Sequence, residues 1–135
     1  MKTMKRLLTT LYIVLASLVA MTGCSKVEPE PLPDNDEYYV KYAFTGNNER
    51  GFFRDCKISF TTERKEQLEM TFSTINVLSY EVVTGPFKYD SKVYATLYGE
   101  KLVSSSIQIF VSKNDSPFAL KGMTNEGRLE YTIDY

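Results

Sequence analysis

The sequence predicts an all-β domain built as two packed antiparallel sheets with about seven or eight strands. Two observations lead to this prediction. Apolar and polar residues alternate along much of residues 37–135, which is the period of a strand with one buried face. Turn-forming residues separate the alternating segments at short intervals, as in β-sandwiches. A chain of 135 residues has room for one such domain and an N-terminal extension.

Seven alternating rows predict strands whose apolar members share one face. In chain order, the rows are Tyr38, Val40, Tyr42 and Phe44; Cys56, Ile58 and Phe60; Leu68, Met70 and Phe72; Leu78, Tyr80 and Val82; Val93, Ala95 and Leu97; Ile107, Ile109 and Val111; and Leu129, Tyr131, Ile133 and Tyr135. Together they favour a two-sheet antiparallel sandwich of the Ig-like or transthyretin-like kind.

The segments between the rows have the composition of turns. Gly46-Asn47-Asn48 and Lys113-Asn114-Asp115 are turn sequences, and we expect Gly85-Pro86 to interrupt a strand. Residues 63–70 are good helix formers and could form a short helix. Leu68 and Met70 are two positions apart, which favours a hairpin turn followed by a strand.

The N-terminus has the pattern of an export signal. Three basic residues are followed by an apolar run over residues 7–20, which is shorter than the roughly 20 residues that a membrane-spanning helix needs. The run ends in Met21-Thr22-Gly23-Cys24, and small residues before a cysteine resemble the lipobox of bacterial lipoproteins. The alternative is a plain secretory signal, or an uncleaved helix, with an incidental Cys24.

The lipobox resemblance implies cleavage between Gly23 and Cys24 and acyl chains on the Cys24 sulfur, which would be the protein's membrane attachment. Ser25 after the cysteine favours the outer membrane, in its periplasmic or its surface leaflet. The expected organisation is a signal peptide over 1–23, a lipid-anchor cysteine with a proline-rich tether over 24–36, and a sandwich over 37–135. Removing residues 1–23 takes away three basic residues and no acid, so the net charge falls from −1 to −4.

The composition excludes several classes of function. The chain has no His, so no Ser-His-Asp or Cys-His pair and no histidine-bearing zinc site can form, and two cysteines cannot make a four-thiolate zinc site. A net charge of −1 without a basic stripe argues against a nucleic-acid partner. We therefore predict a non-enzymatic protein with no cofactor and no metal.

Two groups of residues are candidates for function. Cys56 is the thiol left once Cys24 is acylated; it is in phase with apolar neighbours and is expected in the core, although an odd cysteine can also react or pair between chains. Aromatic residues outside the main apolar rows could form a binding patch for a protein or a glycan, or could simply be covered. The patch candidates are Tyr39, Phe87, Tyr89, Tyr94 and Tyr98.

Three segments resemble the small sandwich of MmpS-type transport accessory proteins, similar domains of which occur in short lipoproteins of Gram-negative gut bacteria. They are VKYAFTG at 40–46, ISFTT at 58–62 and IQIFVSKND at 107–115. The resemblance implies an accessory subunit of an envelope transporter. The last alternating row could lie at a sheet edge, where strands pair between subunits, so a structural or pilus-like subunit is a further expectation. The expectation that we favour is a lipid-anchored binding or accessory module of the cell envelope.

Overall fold

The computed structural model describes residues 35–49, 54–75 and 77–135, and this part of the chain is built from eight β-strands. Their bounds are β1 Tyr38–Asn48, β2 Arg54–Thr61, β3 Gln67–Ile75, β4 Val77–Phe87, β5 Lys92–Gly99, β6 Leu102–Lys113, β7 Ala119–Thr124 and β8 Arg128–Thr132.

The strands form two antiparallel sheets of four. Sheet A has the order β4-β1-β6-β7, and sheet B has the order β3-β2-β5-β8. The all-β fold, the two antiparallel sheets and the number of strands confirm the prediction from the sequence. No helix in the described part of the chain is long and apolar enough to cross a membrane.

The core lies between the sheets and consists of the alternating rows. Tyr42, Phe44, Ile58, Phe60 and Ile109 have at most 1% of their surface exposed. The rings of Tyr42 on sheet A and Phe60 on sheet B meet across the interface, with their centroids 5.3 Å apart. Burying a large apolar side chain contributes roughly 1.5–3 kcal/mol, so these rows hold the two sheets together.

The sandwich has two ends, which we call proximal and distal. The proximal end is where β1 begins, and the turns that join β2 to β3, β4 to β5 and β6 to β7 lie there with the C-terminus. The distal end carries the other connections. Because β1 has 11 residues, the two ends are separated by about 35 Å at roughly 3.3 Å per residue.

The segment that precedes β1 is bound to the turn between β6 and β7. The Asp36 carboxylate lies 2.7 Å from Lys113 Nζ and accepts a hydrogen bond of 3.0 Å from Asn114 Nδ2. The Asn114 backbone N–H donates to the Glu37 carbonyl at 2.7 Å. These contacts fix Asp36 and Glu37 to the turn that follows β6.

Two predicted interruptions are wrong. Asn47 and Asn48 continue β1 instead of forming a turn, because Asn47 pairs with both β4 and β6 and Asn48 pairs with β6. Gly85 and Pro86 lie inside β4. Gly85 has φ +144°, and a Cβ at this position would lie 2.9 Å from the Tyr38 carbonyl oxygen, so glycine allows the two strands to approach closely.

Other local predictions are confirmed, and one strand was not predicted. Residues 62–66 form the hairpin turn, and β3 starts at Gln67. The last row forms β8 at the edge of sheet B. β7 was missed because its sequence, ALKGMT, lacks clear alternation; pairing of Met123 with Gln108 and of Gly122 with Ile109 on β6 holds it in the sheet.

Candidate functional site

The outer face of sheet B is occupied by polar side chains that pair with one another. The hydroxyls of Ser59 and Thr96 share a hydrogen bond of 2.6 Å. The Arg128 guanidinium lies over the Tyr94 ring at 5.4 Å. Such mutually paired polar side chains are typical of a surface that faces water.

The outer face of sheet A is different, because exposed apolar side chains are concentrated on it. Ten large hydrophobic side chains are exposed in the described residues, and six of them lie on or beside this face. They are Val77, Val83, Val103, Phe118, Leu120 and Met123. Exposed apolar residues gathered on one face, rather than scattered singly, mark a surface for interaction.

The proximal half of this face is apolar around one lysine. Lys41 lies outward on β1, and its Nζ is 4.5 Å from the centre of the Phe110 ring and 5.4 Å from that of Phe118. Leu120 is the cross-strand partner of Phe110, and Val83 is that of Lys41; each is about half exposed. The ammonium group, placed over two aromatic faces, gains about 0.5–1 kcal/mol for each such contact at an exposed site.

The distal half of the same face is a polar groove with a volume of about 870 Å³, which we call the serine groove. It crosses β4, β1 and β6 and reaches the turn between β7 and β8. Seven of its twelve lining residues carry a hydroxyl or a carboxamide, and none carries a charge. These seven are Thr45, Asn47, Ser79, Ser104, Ser105, Ser106 and Asn125.

The five aromatic residues predicted as a binding patch do not form one surface. Tyr39 lies on the outer side of sheet A, where its hydroxyl donates to the Glu37 carboxylate at 3.2 Å, and this hydrogen bond raises the pKa of Tyr39. Tyr94 and Tyr98 lie on β5 of sheet B, and Tyr98 is 64% exposed. Phe87 is only 3% exposed and belongs to the core, which corrects its assignment to an exposed patch.

Three of the predicted aromatics do meet at the proximal end. Phe87, Tyr89 and Tyr94 line two adjoining hollows of about 270 and 310 Å³. Lys65 and Asp90 line both hollows, and each has a positive φ of 62° in the turn that carries it. The hollows are small and lie between two tight turns, whereas the serine groove has more than twice the volume of either.

Cys56 is a buried free thiol on β2 and is 1% exposed. Burial raises the pKa of this thiol, and its Sγ lies 3.8 Å from Asn48 Oδ1, to which it donates. The neutral, buried thiol matches the core expectation rather than the reactive one. The predicted lipid attachment at Cys24, and the cleavage flank of Gly23 and Ser25, lie outside the described residues.

No group of three or more Cys, Asp or Glu side chains that could hold a metal ion occurs within residues 35–49, 54–75 and 77–135. Comparison with family models, with curated proteins and with solved structures finds no match to this chain. What the protein does has therefore to be argued from its own residues.

The serine groove was not predicted from the sequence. The run Ser104-Ser105-Ser106 is the one local signal for it. The groove depends on strand order, since β1 brings Thr45 between Ser79 of β4 and Ser106 of β6. These three residues are far apart in the sequence.

Proposed function

We propose that the protein is a lipid-anchored lipoprotein of the bacterial cell envelope that acts as a non-enzymatic binding module, and that it binds through the outer face of sheet A. The anchor is proposed from the sequence of residues 1–24, in which a basic start, a short apolar run and small residues precede Cys24. Two or more acyl chains provide stable membrane attachment, whereas one alone is marginal.

The observation that carries the binding function is the contrast between the two outer faces. Sheet A exposes six large hydrophobic side chains around Lys41 and the serine groove, while sheet B pairs its polar side chains internally. Interfaces combine an apolar centre with polar positions that fix orientation, and the outer face of sheet A has both.

The proposed tether supports this function. The chain enters β1 at the proximal end, and Thr45 lies about 23 Å further along β1 at roughly 3.3 Å per residue. A proline-rich tether is a semi-rigid spacer of about 3.1 Å per residue, which would hold the domain clear of the lipid headgroups. Both halves of the face are then accessible to a partner at the envelope, and anchoring raises the effective concentration of the domain there.

The anchor is tested with Cys24→Ala in a Gram-negative host that is fed a labelled fatty acid. We expect the wild type to incorporate the label and the variant to accumulate as an unlabelled precursor. Cys56→Ala is the matched control, because it removes the other cysteine, and it should be labelled like the wild type. Label that persists in the Cys24 variant would rule out this anchor.

The binding face is tested with a photo-crosslinking residue at Leu120, on the outer face of sheet A, in native membranes. The matched position is Thr71, which is exposed on the outer face of sheet B. We expect a discrete adduct from position 120 and none from position 71. Equal crosslinking from both positions, or none from position 120, would contradict a binding role for this face.

One observation favours a second candidate, a self-assembling structural subunit. β4 is an edge strand of 11 residues with one charged residue, Glu81, and its protective features, a register shift and Pro86, are confined to its C-terminal end. Sedimentation of the full chain in detergent over a range of concentrations tests this candidate. Ordered oligomers that grow with concentration would favour it, and a monomer throughout would exclude it.

A further inference from the structure

We propose that the serine groove binds a neutral, extended oligosaccharide that lies across the strands of sheet A. This inference rests on the proposed binding function and names its ligand class. The groove volume of about 870 Å³ lies within the range of about 300–1,000 Å³ that is usual for small-ligand sites.

A row of three hydroxyls forms the floor. Thr45 on β1 is the direct partner of Ser79 on β4 and of Ser106 on β6, so the three side chains stand side by side on three neighbouring strands. Within the part of the chain that the structure describes, none of these hydroxyls has a protein hydrogen-bond partner. Each can therefore both donate to and accept from a ligand.

The spacing of this row favours a sugar over a peptide. Neighbouring strands lie about 4.8 Å apart, whereas an extended peptide advances about 3.4 Å per residue. The strand spacing is close to the length of one pyranose ring in an extended β-linked chain. A glycan that crosses the strands can therefore place one ring over each hydroxyl. The residues of a peptide that crosses in the same direction do not match the spacing of the hydroxyls.

The groove also selects against charge. None of its lining residues is ionisable, so an anionic or cationic ligand would lose water there without gaining an ion pair. Hydroxyls and carboxamides suit a neutral polyol, because the hydroxyl groups of a sugar also both donate and accept hydrogen bonds. Asn47 Nδ2 already donates to Ser104 Oγ at 3.1 Å, which orients both side chains at the next position of the floor.

Two exposed valines flank the floor and can contact the C–H faces of sugar rings. Val77 is 64% exposed and Val103 is 68% exposed. The register of β1 against β6 shifts between Asn47 and Asn48, where Ser104 and Leu102 are the partners, so Val103 is an extra residue that bulges from β6. Bulges re-aim side chains and occur often beside binding sites.

The experiment uses the full chain, purified in a zwitterionic detergent that has no sugar headgroup. Cellohexaose and xylohexaose are the neutral probes, hexagalacturonate is the charged probe, and an uncharged Ser/Thr hexapeptide tests the peptide alternative. Calorimetric titration measures affinity. We expect at least one neutral hexasaccharide to bind and the charged glycan and the peptide to bind at least about tenfold more weakly.

Variants then locate the site. Thr45→Val combined with Ser79→Ala and Ser106→Ala removes three hydroxyls and should weaken binding by at least about tenfold, since each lost hydrogen bond weakens it severalfold. Thr71→Val makes the same kind of change on sheet B and should leave affinity unchanged. Val103→Arg leaves the hydroxyls in place and puts charge and bulk at the rim, so it should abolish binding even if the triple variant does not fold.

The outcomes separate this inference from the proposed function. Binding of neither neutral hexasaccharide, or binding that both groove variants leave unchanged, would overturn the inference. Preferential binding of the peptide would overturn the sugar assignment and keep the binding module. Label that persists in the Cys24→Ala variant would rule out the proposed anchor and leave the sugar result intact.

Discussion

The phenolic hydroxyl of Tyr42 on β1 donates a hydrogen bond of 2.8 Å to the backbone carbonyl of Thr61 on β2, and so links sheet A to sheet B inside the core. Thr61 also joins strands within sheet B: its Oγ1 accepts from the Tyr94 backbone N–H at 2.9 Å and from Gln67 Nε2 at 2.6 Å. Tyr42 is fully buried, so the bond is shielded from water. It contributes a directional contact to an interface that is mostly apolar.

Replacing this hydroxyl should destabilise the domain. Tyr42→Phe removes this donor to the Thr61 carbonyl, which keeps the longer hydrogen bond from Thr84 Oγ1 at 3.4 Å. We expect the free energy of unfolding to fall by about 1–2 kcal/mol, as for other buried hydrogen bonds. Urea unfolding measures the loss. Tyr98→Phe, at an exposed position, is the matched control and should change stability by less than about 0.5 kcal/mol.

Stability should fall at alkaline pH. Burial raises the pKa of Tyr42 far above its usual 10.0, and burial together with a hydrogen bond to Asp134 raises that of Tyr131 to about 12. Both groups hold their protons more tightly when folded than when unfolded. Their contribution is therefore complete below about pH 10 and is lost as the pH rises beyond it.

Urea unfolding at stepped pH, followed together with phenolate absorbance, measures this effect. The free energy of unfolding should stay level up to about pH 10 and then decline, and Tyr42→Phe should decline less steeply. Ionisation of all tyrosines near the ordinary pKa while the fold stays intact would contradict the burial of Tyr42.

Cys56 should be needed for packing and not for chemistry. Cys56→Ser places a hydroxyl in a buried site beside the Asn48 carboxamide, so we expect a loss of about 1–3 kcal/mol. Cys56→Ala, which adds no polar group, should cost less. The folded wild type should react with a thiol reagent only as fast as it unfolds. Fast labelling of the folded protein would show that the thiol is accessible.

Gly127, in the turn between β7 and β8, should not tolerate a side chain. Its φ is +79°, and a Cβ would lie 2.9 Å from the Leu97 carbonyl oxygen. Gly127→Ala should therefore cost about 1–2 kcal/mol or more, because this backbone conformation disfavours L-residues. Gly122→Ala is the control, since its Cβ meets only Leu129 side-chain atoms at 3.5 Å or more. Equal stability of the two variants, measured by thermal unfolding, would contradict the strain at Gly127.

The sequence predicted the strands best where burial is one-sided. From Tyr38 to Phe44, apolar residues recur at every second position because one face of β1 is buried. The prediction from the sequence was wrong at Asn47, Asn48 and Gly85, because turn propensity describes local backbone preference and not pairing with distant strands. Pairing with neighbouring strands keeps the two asparagines extended, and the close approach of Tyr38 requires a residue without a side chain at position 85.

The candidate site was less predictable than the fold. Aromatic residues were selected by residue type, yet Phe87 is in the core and Tyr39 and Tyr98 lie on different sheets. The serine groove is formed by small polar residues from three strands, and the residue type of a serine or threonine does not by itself indicate a binding site. Its existence follows from the strand order β4-β1-β6, which alternation does not specify.

The alternation of residues was enough to establish an all-β chain with one buried face per strand, because water excludes apolar side chains whatever partner strand they meet. The choice of partner strand depends on contacts between residues far apart in the chain. The tertiary structure alone therefore decided that Thr45 stands between Ser79 and Ser106, that Tyr42 reaches Thr61, and that sheet A rather than sheet B exposes an apolar outer face.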